Sequence, residues 1–157
     1  MITVITPTCD RPFGIRLAEK YMARQTVKPD QWIVADGGQR RAELTMGQCH
    51  IHRASPPGPK NLAGNMQIAL SEAAGDFIIV MEDDDWYDPR HIEACIAGLD
   101  RADAYGCSTL LYYHVGWRQY RRMANRGAAL CRAVSADACS LVAAAGRRNR
   151  CPHRRIA

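Results

Sequence analysis

The sequence predicts an α/β fold: a mostly parallel central sheet with helices on its faces. Three observations carry this expectation. Short β-rich runs alternate with amphipathic helical stretches, the pattern of a sheet wound through crossover helices. The run Asp76-Phe77-Ile78-Ile79-Val80-Met81 is apolar without alternation, as befits a strand covered on both faces. Polar residues close three of the strands, at Thr6-Pro7-Thr8, Asp36-Gly37-Gly38 and Glu82-Asp83-Asp84-Asp85. Open sheets of this type bind ligands beyond the carboxyl ends of their strands, so these residues are expected at one edge.

Taken in order, Ile2-Thr3-Val4-Ile5-Thr6 reads as a buried strand ended by Pro7. Asp10 is placed to cap a helix that has Pro12 near its start and Ile15, Leu17, Ala18, Tyr21 and Met22 on one face. Lys28-Pro29-Asp30 is a turn, and Gln31-Trp32-Ile33-Val34-Ala35 is a second strand. Residues 40–53 are ambiguous, with Cys49-His50-Ile51-His52 as a short strand candidate, and the prolines of 55–59 make a loop. Residues 61–74 carry Leu62, Met66, Ala69, Leu70 and Ala73 at helical spacing, with Gly75 as the expected stop. After the apolar strand and acidic run come a helix over 89–99 and a strand-like stretch over 104–114. A strand over 127–134 and a short helix over 135–145 follow.

A chain of 157 residues, 47% apolar and 24% charged, suits one globular domain with a real core. No apolar run reaches the roughly 20 residues that span a bilayer. The first residues lack the charged and apolar regions of a signal peptide, and a cytoplasmic location is expected. The formal charge of +5 is unevenly placed. Residues 1–117 hold 11 Lys and Arg against 15 Asp and Glu, whereas residues 118–157 hold 10 Arg against Asp137 alone. From Gly146 the chain has no apolar period and six basic residues counting His153, so the domain is expected over 1–145 with a basic tail over 146–157.

The seven cysteines are odd in number and lack C-x-x-C spacing, which points to a reducing compartment without a disulfide framework. Cys49-His50-Ile51-His52 reads as a plain surface strand or loop, because neighbours in a strand face opposite ways and cannot converge on one ion.

Four consecutive carboxylates after a buried strand repel one another and resist burial. A hard divalent cation, Mn²⁺ or Mg²⁺, offsets such charge and bridges to a diphosphate, which it also stabilises as a leaving group. A solvated loop before a helix N-terminus also accommodates acids. The apolar strand that delivers this run favours a site.

Four blocks, in order, resemble the family 2 glycosyltransferases of the GT-A fold over about residues 2–115. They are Ile2-Thr3-Val4-Ile5-Thr6-Pro7-Thr8 with Cys9-Asp10-Arg11, then Trp32-Ile33-Val34-Ala35-Asp36-Gly37-Gly38. Asn61-Leu62-Ala63-Gly64-Asn65 leading to Ala73-Ala74-Gly75-Asp76-Phe77-Ile78 is the third, and Met81-Glu82-Asp83-Asp84-Asp85-Trp86-Tyr87-Asp88-Pro89 the fourth. The resemblance implies a Rossmann-like nucleotide-diphospho-sugar transferase sandwich. It also implies transfer from a nucleoside diphosphate sugar, by family habit a uridine one, with inversion. Nucleotide-binding candidates are Pro7, Thr8, Asp10, Arg11, Asp36, Lys60, Asn65 and Asp83. Thr8 and Asp36 would contact the base, and Asp83 the ribose. Asp84 would ligate the metal, with Glu82 and Asp85 as outer candidates. The residues by themselves read Asp36 as a turn former before two glycines, and Thr8 as a helix-approach residue.

Two positions depart from the family pattern. Ala35 replaces the first aspartate of the second block, and Gly64 stands where an arginine usually precedes the asparagine. Lys60 or Arg53 would supply that positive charge. A nucleotidyltransferase shares the architecture, but its glycine-rich phosphate loop is missing from residues 8–13.

Inverting transfer needs a carboxylate to deprotonate the acceptor. After Asp103 the chain offers only Asp137, which by itself reads as an acid near a helix N-terminus. Its scarcity of acids suggests a chain short on its C-terminal side. The alternative function is accordingly a nucleotide-sugar-binding module without its own base. Trp117 and Tyr112-Tyr113-His114 would shape an acceptor site or serve as strand residues. The acceptor, a glycan, lipid-linked molecule or protein, is left open. The basic tail reads as solvated, with anionic lipid as a possible peripheral contact and nucleic acid disfavoured.

Overall fold

The structure, a computed structural model, describes residues 1–46, 49–55, 58–106, 110–114, 116–123 and 131–135. Its elements in chain order are β1 (Ile2–Thr8), α1 (Pro12–Arg24), β2 (Gln31–Asp36), β3 (Cys49–His52), α2 (Pro59–Glu72) and β4 (Phe77–Val80). There follow α3 (His91–Leu99), β5 (Ala104–Gly106), β6 (Leu110–His114), β7 (Gln119–Met123) and β8 (Cys131–Ser135). Six strands form one sheet in the order β3-β2-β1-β4-β8-β5, and β6 pairs with β7 in a separate hairpin. β1, β2, β3 and β4 are mutually parallel, while β8 runs antiparallel to both β4 and β5.

This order places a switch point between β1 and β4. The chain winds outward from β1 through β2 to β3, then returns to the other side of β1 to lay down β4. Crossover loops diverge there, leaving a crevice at the carboxyl ends of the two strands. The expected mostly parallel α/β sheet is what forms.

Burial on both faces explains the apolar strands. Val4, Val34 and Ile79 point to one side, where they pack with Ile15, Ala18 and Met22 of α1 and Ile92, Cys95 and Leu99 of α3. Their neighbours Ile5, Ile33 and Ile78 point to the other side, against Ala69, Met66 and Leu70 of α2. A period of two along a strand divides the side chains between two cores, so neither face is left polar. Trp32 is buried with its indole N–H donating to the Thr6 hydroxyl at 2.9 Å, which meets the need of a buried polar edge.

Several local expectations are corrected. Pro7 does not end β1; it lies in register with Ala35 of β2, and the strand continues to Thr8. Asp10 does not cap α1, whose N-cap is Arg11 without any side-chain capping bond. Residues 104–114 are not one strand: β5 joins the main sheet and β6 the hairpin. Leu17 and Leu62 are exposed rather than part of the apolar stripes. α2 begins two residues early and stops at Glu72, so Gly75 is not its stop. Gly75 is instead a close-approach position, since a Cβ there would sit 2.6 Å from the Thr3 amide nitrogen. Cys49-His50-Ile51-His52 does form a strand, at the sheet edge. Cys9, Cys49 and Cys95 are free thiols. The expected helix over 135–145 and the tail over 146–157 fall outside the described residues, Ser135 excepted, which ends β8. No described helix is long and apolar enough to cross a membrane.

Truncating Ile5, which is fully buried between β2, β4 and α2, removes its packing against Ile33, Ile78 and Ala69 and leaves a cavity. Ile5→Ala is expected to lower unfolding free energy by about 3 kcal/mol in urea titrations at unchanged slope.

Candidate functional site

Both strands at the switch point end in polar residues, and those residues surround a cavity of about 580 Å³. Pro7, Thr8, Cys9 and Arg11 line it from the end of β1, and Glu82, Asp83 and Asp84 from the end of β4. Gly58, Asn61, Leu62 and Asn65 complete it from the start of α2. The β1–β4 register alone brings the first two groups together, because Ile5 pairs with Val80 and both strands then exit on the same side.

Asp83 sits at the centre with only 3% of its surface exposed. The Thr8 hydroxyl donates to one carboxylate oxygen at 2.6 Å, and the Arg11 guanidinium to the other at 3.0 Å. Burial pushes the carboxyl above its ordinary pKa, while the hydroxyl and the guanidinium pull it down. The same Arg11 nitrogen donates to Asp84 at 2.7 Å. Gly14, in the first turn of α1, packs closely here: an added Cβ would lie 3.0 Å from the Asp83 carbonyl oxygen and 3.1 Å from its carboxylate, so a side chain would require Asp83 to shift by a few tenths of an ångström. Asp84 differs sharply from its neighbour, with 59% of its side chain exposed at the cavity rim.

The acidic turn is held from behind. The Glu82 amide donates to the Tyr87 hydroxyl at 2.7 Å, and Tyr87 is buried. Gln25, at the end of α1, donates to the Asp88 carbonyl at 2.9 Å and accepts from the Ile92 amide at 3.1 Å. One buried side chain thus joins the turn after β4 to the start of α3.

On the α2 side, Asn65 donates to the Thr8 carbonyl at 3.0 Å and to the Asn61 side-chain oxygen at 3.1 Å. Asn61 in turn donates to the Gly37 carbonyl at 2.9 Å and to the Ser55 hydroxyl at 2.7 Å. These bonds tie the helix to the loops after β1 and β2.

The other candidate residues are distributed differently. Asp36 is buried beneath the loop that follows β2 and does not line the cavity. Its carboxylate accepts from the Gly38 amide at 2.8 Å and the Ala42 amide at 2.7 Å, with His50 at 3.3 Å. Arg41 donates to His50 Nδ1 at 3.2 Å, so the ring proton is assigned to Nε2, facing Asp36. Asp10 adopts φ of 52° and accepts from the Gln39 amide at 2.9 Å, clamping the loop after β2 to the end of β1. Lys60 and Asp85 do not border the cavity. Asp137 lies outside the described residues. Asn61, Cys9, Tyr87 and Gln25 were missed as contributors. The Asn61 and Asn65 pair had a readable signal, two amides four apart on one helix face.

Among the described residues, no three His, Cys, Asp or Glu side chains converge on a closed metal-binding group. Glu82 and Asp84 do line the cavity wall, and a hard cation needs only one or two carboxylates when substrate oxygens complete its shell.

Residues 3–150 match the sequence profile described as Glycosyl transferase family 2, and the chain belongs to that family. No curated protein matches it. Among solved structures it resembles TarS of S. aureus, at 18% identity and TM-score 0.53, over 67% of this chain and 20% of that one. A TarS 1-349 structure aligns at 20% identity and TM-score 0.51, over 71% of this chain and 35% of that one. A CMP:2-keto-3-deoxy-manno-octonic acid synthetase complexed with CTP aligns at 10% identity and TM-score 0.62, over 91% of this chain and 77% of the other. These likenesses show the fold, the GT-A nucleotide-sugar transferase sandwich. The chain spans about a fifth of the first TarS chain.

Two outcomes follow from the site's supports. Tyr87→Phe removes the acceptor of the Glu82 amide and is expected to cost about 1 kcal/mol in chemical denaturation. His50, with 8% of its side chain exposed, is held by burial below the ordinary histidine pKa. The unfolded chain then binds this proton first, so stability falls as pH drops from about 6.5 through the folded value. His50→Asn is expected to flatten that part of the pH profile in thermal melts between pH 7.5 and 5.

Proposed function

We propose that this family 2 glycosyltransferase domain binds a nucleoside diphosphate sugar, a uridine one by family habit, in the cavity between β1 and β4. It then transfers the sugar to an acceptor hydroxyl with inversion. The observation that carries this reading is the meeting of Thr8, Arg11, Asn65, Asp83 and Asp84 around one cavity at the switch point. Its volume of about 580 Å³ is within the range of small-molecule sites. The fold it shares with a synthetase solved with CTP is consistent with a nucleotide in this crevice.

Each group has a chemical use. Asp83 presents a buried carboxylate to ribose hydroxyls, oriented by Thr8 and Arg11. Asn65, whose amide N–H bonds go to the Thr8 carbonyl and the Asn61 side chain, offers its side-chain oxygen as an acceptor to the nucleotide. Arg11 carries a permanent positive charge that matches diphosphate oxygens in a two-pronged geometry. Glu82 and Asp84 would hold Mn²⁺ or Mg²⁺, which supplies Lewis-acid stabilisation of the departing diphosphate. A direct displacement then requires a carboxylate to take the acceptor's proton, and Asp137 is the candidate from the sequence.

A second reading, a donor-binding module that depends on a partner for its base, has its own support. The described carboxylates lining the cavity are Glu82, Asp83 and Asp84, all within the turn assigned to donor and metal.

With UDP-sugars and Mn²⁺ present, donor turnover is expected and should fall about 100-fold or more with Asp84→Ala or a chelator. Asn65→Ala should weaken UDP binding about tenfold in calorimetry, the loss of roughly one well-placed hydrogen bond. UDP binding without turnover of any donor assigns the module reading, and no nucleotide binding refutes both.

A further inference from the structure

We propose that Arg11 is an internal counter-cation that occupies the acidic turn in the donor-free protein and makes divalent-metal binding contingent on the nucleotide. The inference rests on the donor and metal reading above and assigns its order of binding.

The geometry is specific. One terminal nitrogen of Arg11 donates to Asp83 at 3.0 Å and to Asp84 at 2.7 Å, spanning two adjacent carboxylates. Asp83 is buried and Asp84 exposed, so the guanidinium stands where the turn meets the cavity. Asp84 is also the carboxylate best exposed to receive a metal. A cation arriving there meets a cation already in place. Arginine does not lose its proton in proteins, so the only relief is for the side chain to move.

It can move. Arg11 precedes α1, its side chain is 52% exposed, and it lines the cavity. Without a donor, displacement costs two charge-assisted bonds and returns only solvation. With a diphosphate in the cavity, the displaced guanidinium regains two anionic oxygens, and the metal gains ligands from the same group. Metal and nucleotide therefore favour one another, and by linkage each raises the other's affinity by the same factor.

The test compares Mn²⁺ binding, read from the electron paramagnetic resonance signal of free Mn²⁺, in the wild type and Arg11→Gln, with and without UDP. Circular dichroism confirms folding, and Arg11→Lys provides a variant that keeps the charge. Without UDP, Arg11→Gln is expected to bind Mn²⁺ about tenfold more tightly than the wild type, with Arg11→Lys close to the wild type. UDP should strengthen Mn²⁺ binding in the wild type by about tenfold and in Arg11→Gln by clearly less. Equal nucleotide-free Mn²⁺ affinities in the wild type and Arg11→Gln overturn the proposal while leaving the donor site intact. Tight Mn²⁺ binding to Arg11→Gln in a protein that never binds UDP upholds the competition but overturns the order of binding and the donor reading. No Mn²⁺ binding to any variant in either condition overturns both.

Discussion

A carboxylate buried at the end of a central strand has few ways to exist, and Asp83 uses several at once. Its ionised form is disfavoured by burial, so it needs partners of opposite charge or with acidic protons. The Thr8 hydroxyl comes from β1, the Arg11 guanidinium from the approach to α1, and the space from Gly14 within that helix. Satisfying one side chain thus locks the first strand, the first helix and the turn after β4 into a single arrangement. The cavity exists because this arrangement stops short of filling the crevice.

Asp36 poses the same problem and has a different solution. Its oxygens are taken up by two backbone amides and by His50 from the neighbouring strand. That saturation stabilises the loop after β2, which Asp10 and Asn61 bind from two other directions. Two acids at the ends of parallel strands therefore do unlike work. Asp36 organises a loop from beneath, and Asp83 faces the crevice. The difference follows from sheet order, since β1 and β4 flank the switch point and β2 lies one strand away.

The strands and helices up to residue 99 were largely legible, because apolar periodicity reflects burial on one or two faces. The position of the acidic run, at the end of an apolar strand, was legible as well, and Glu82, Asp83 and Asp84 border the cavity there. Errors gathered where the deciding contact is remote in sequence. Gly75 looked like a helix stop because the approach of Thr3, 72 residues away, is invisible locally. Asp10 looked like a helix cap because the amides of Gln39 and Arg40 lie beyond any local window. Residues 104–114 looked like one strand because β propensity does not say which partner each half will find.

From its residues alone, then, this chain determined its alternating α/β order, its two-sided core and the presence of an acidic turn after β4. Its blocks also placed it near the family to which it belongs. Those properties depend on short-range patterns of hydrophobicity and charge. Tertiary structure decided which acid faces the cavity, which is sealed under a loop, and that Arg11 spans Asp83 and Asp84. The first and last of these depend on the meeting of side chains more than 70 residues apart, and the sealing of Asp36 on the pairing of β2 with β3, none of which a local pattern encodes.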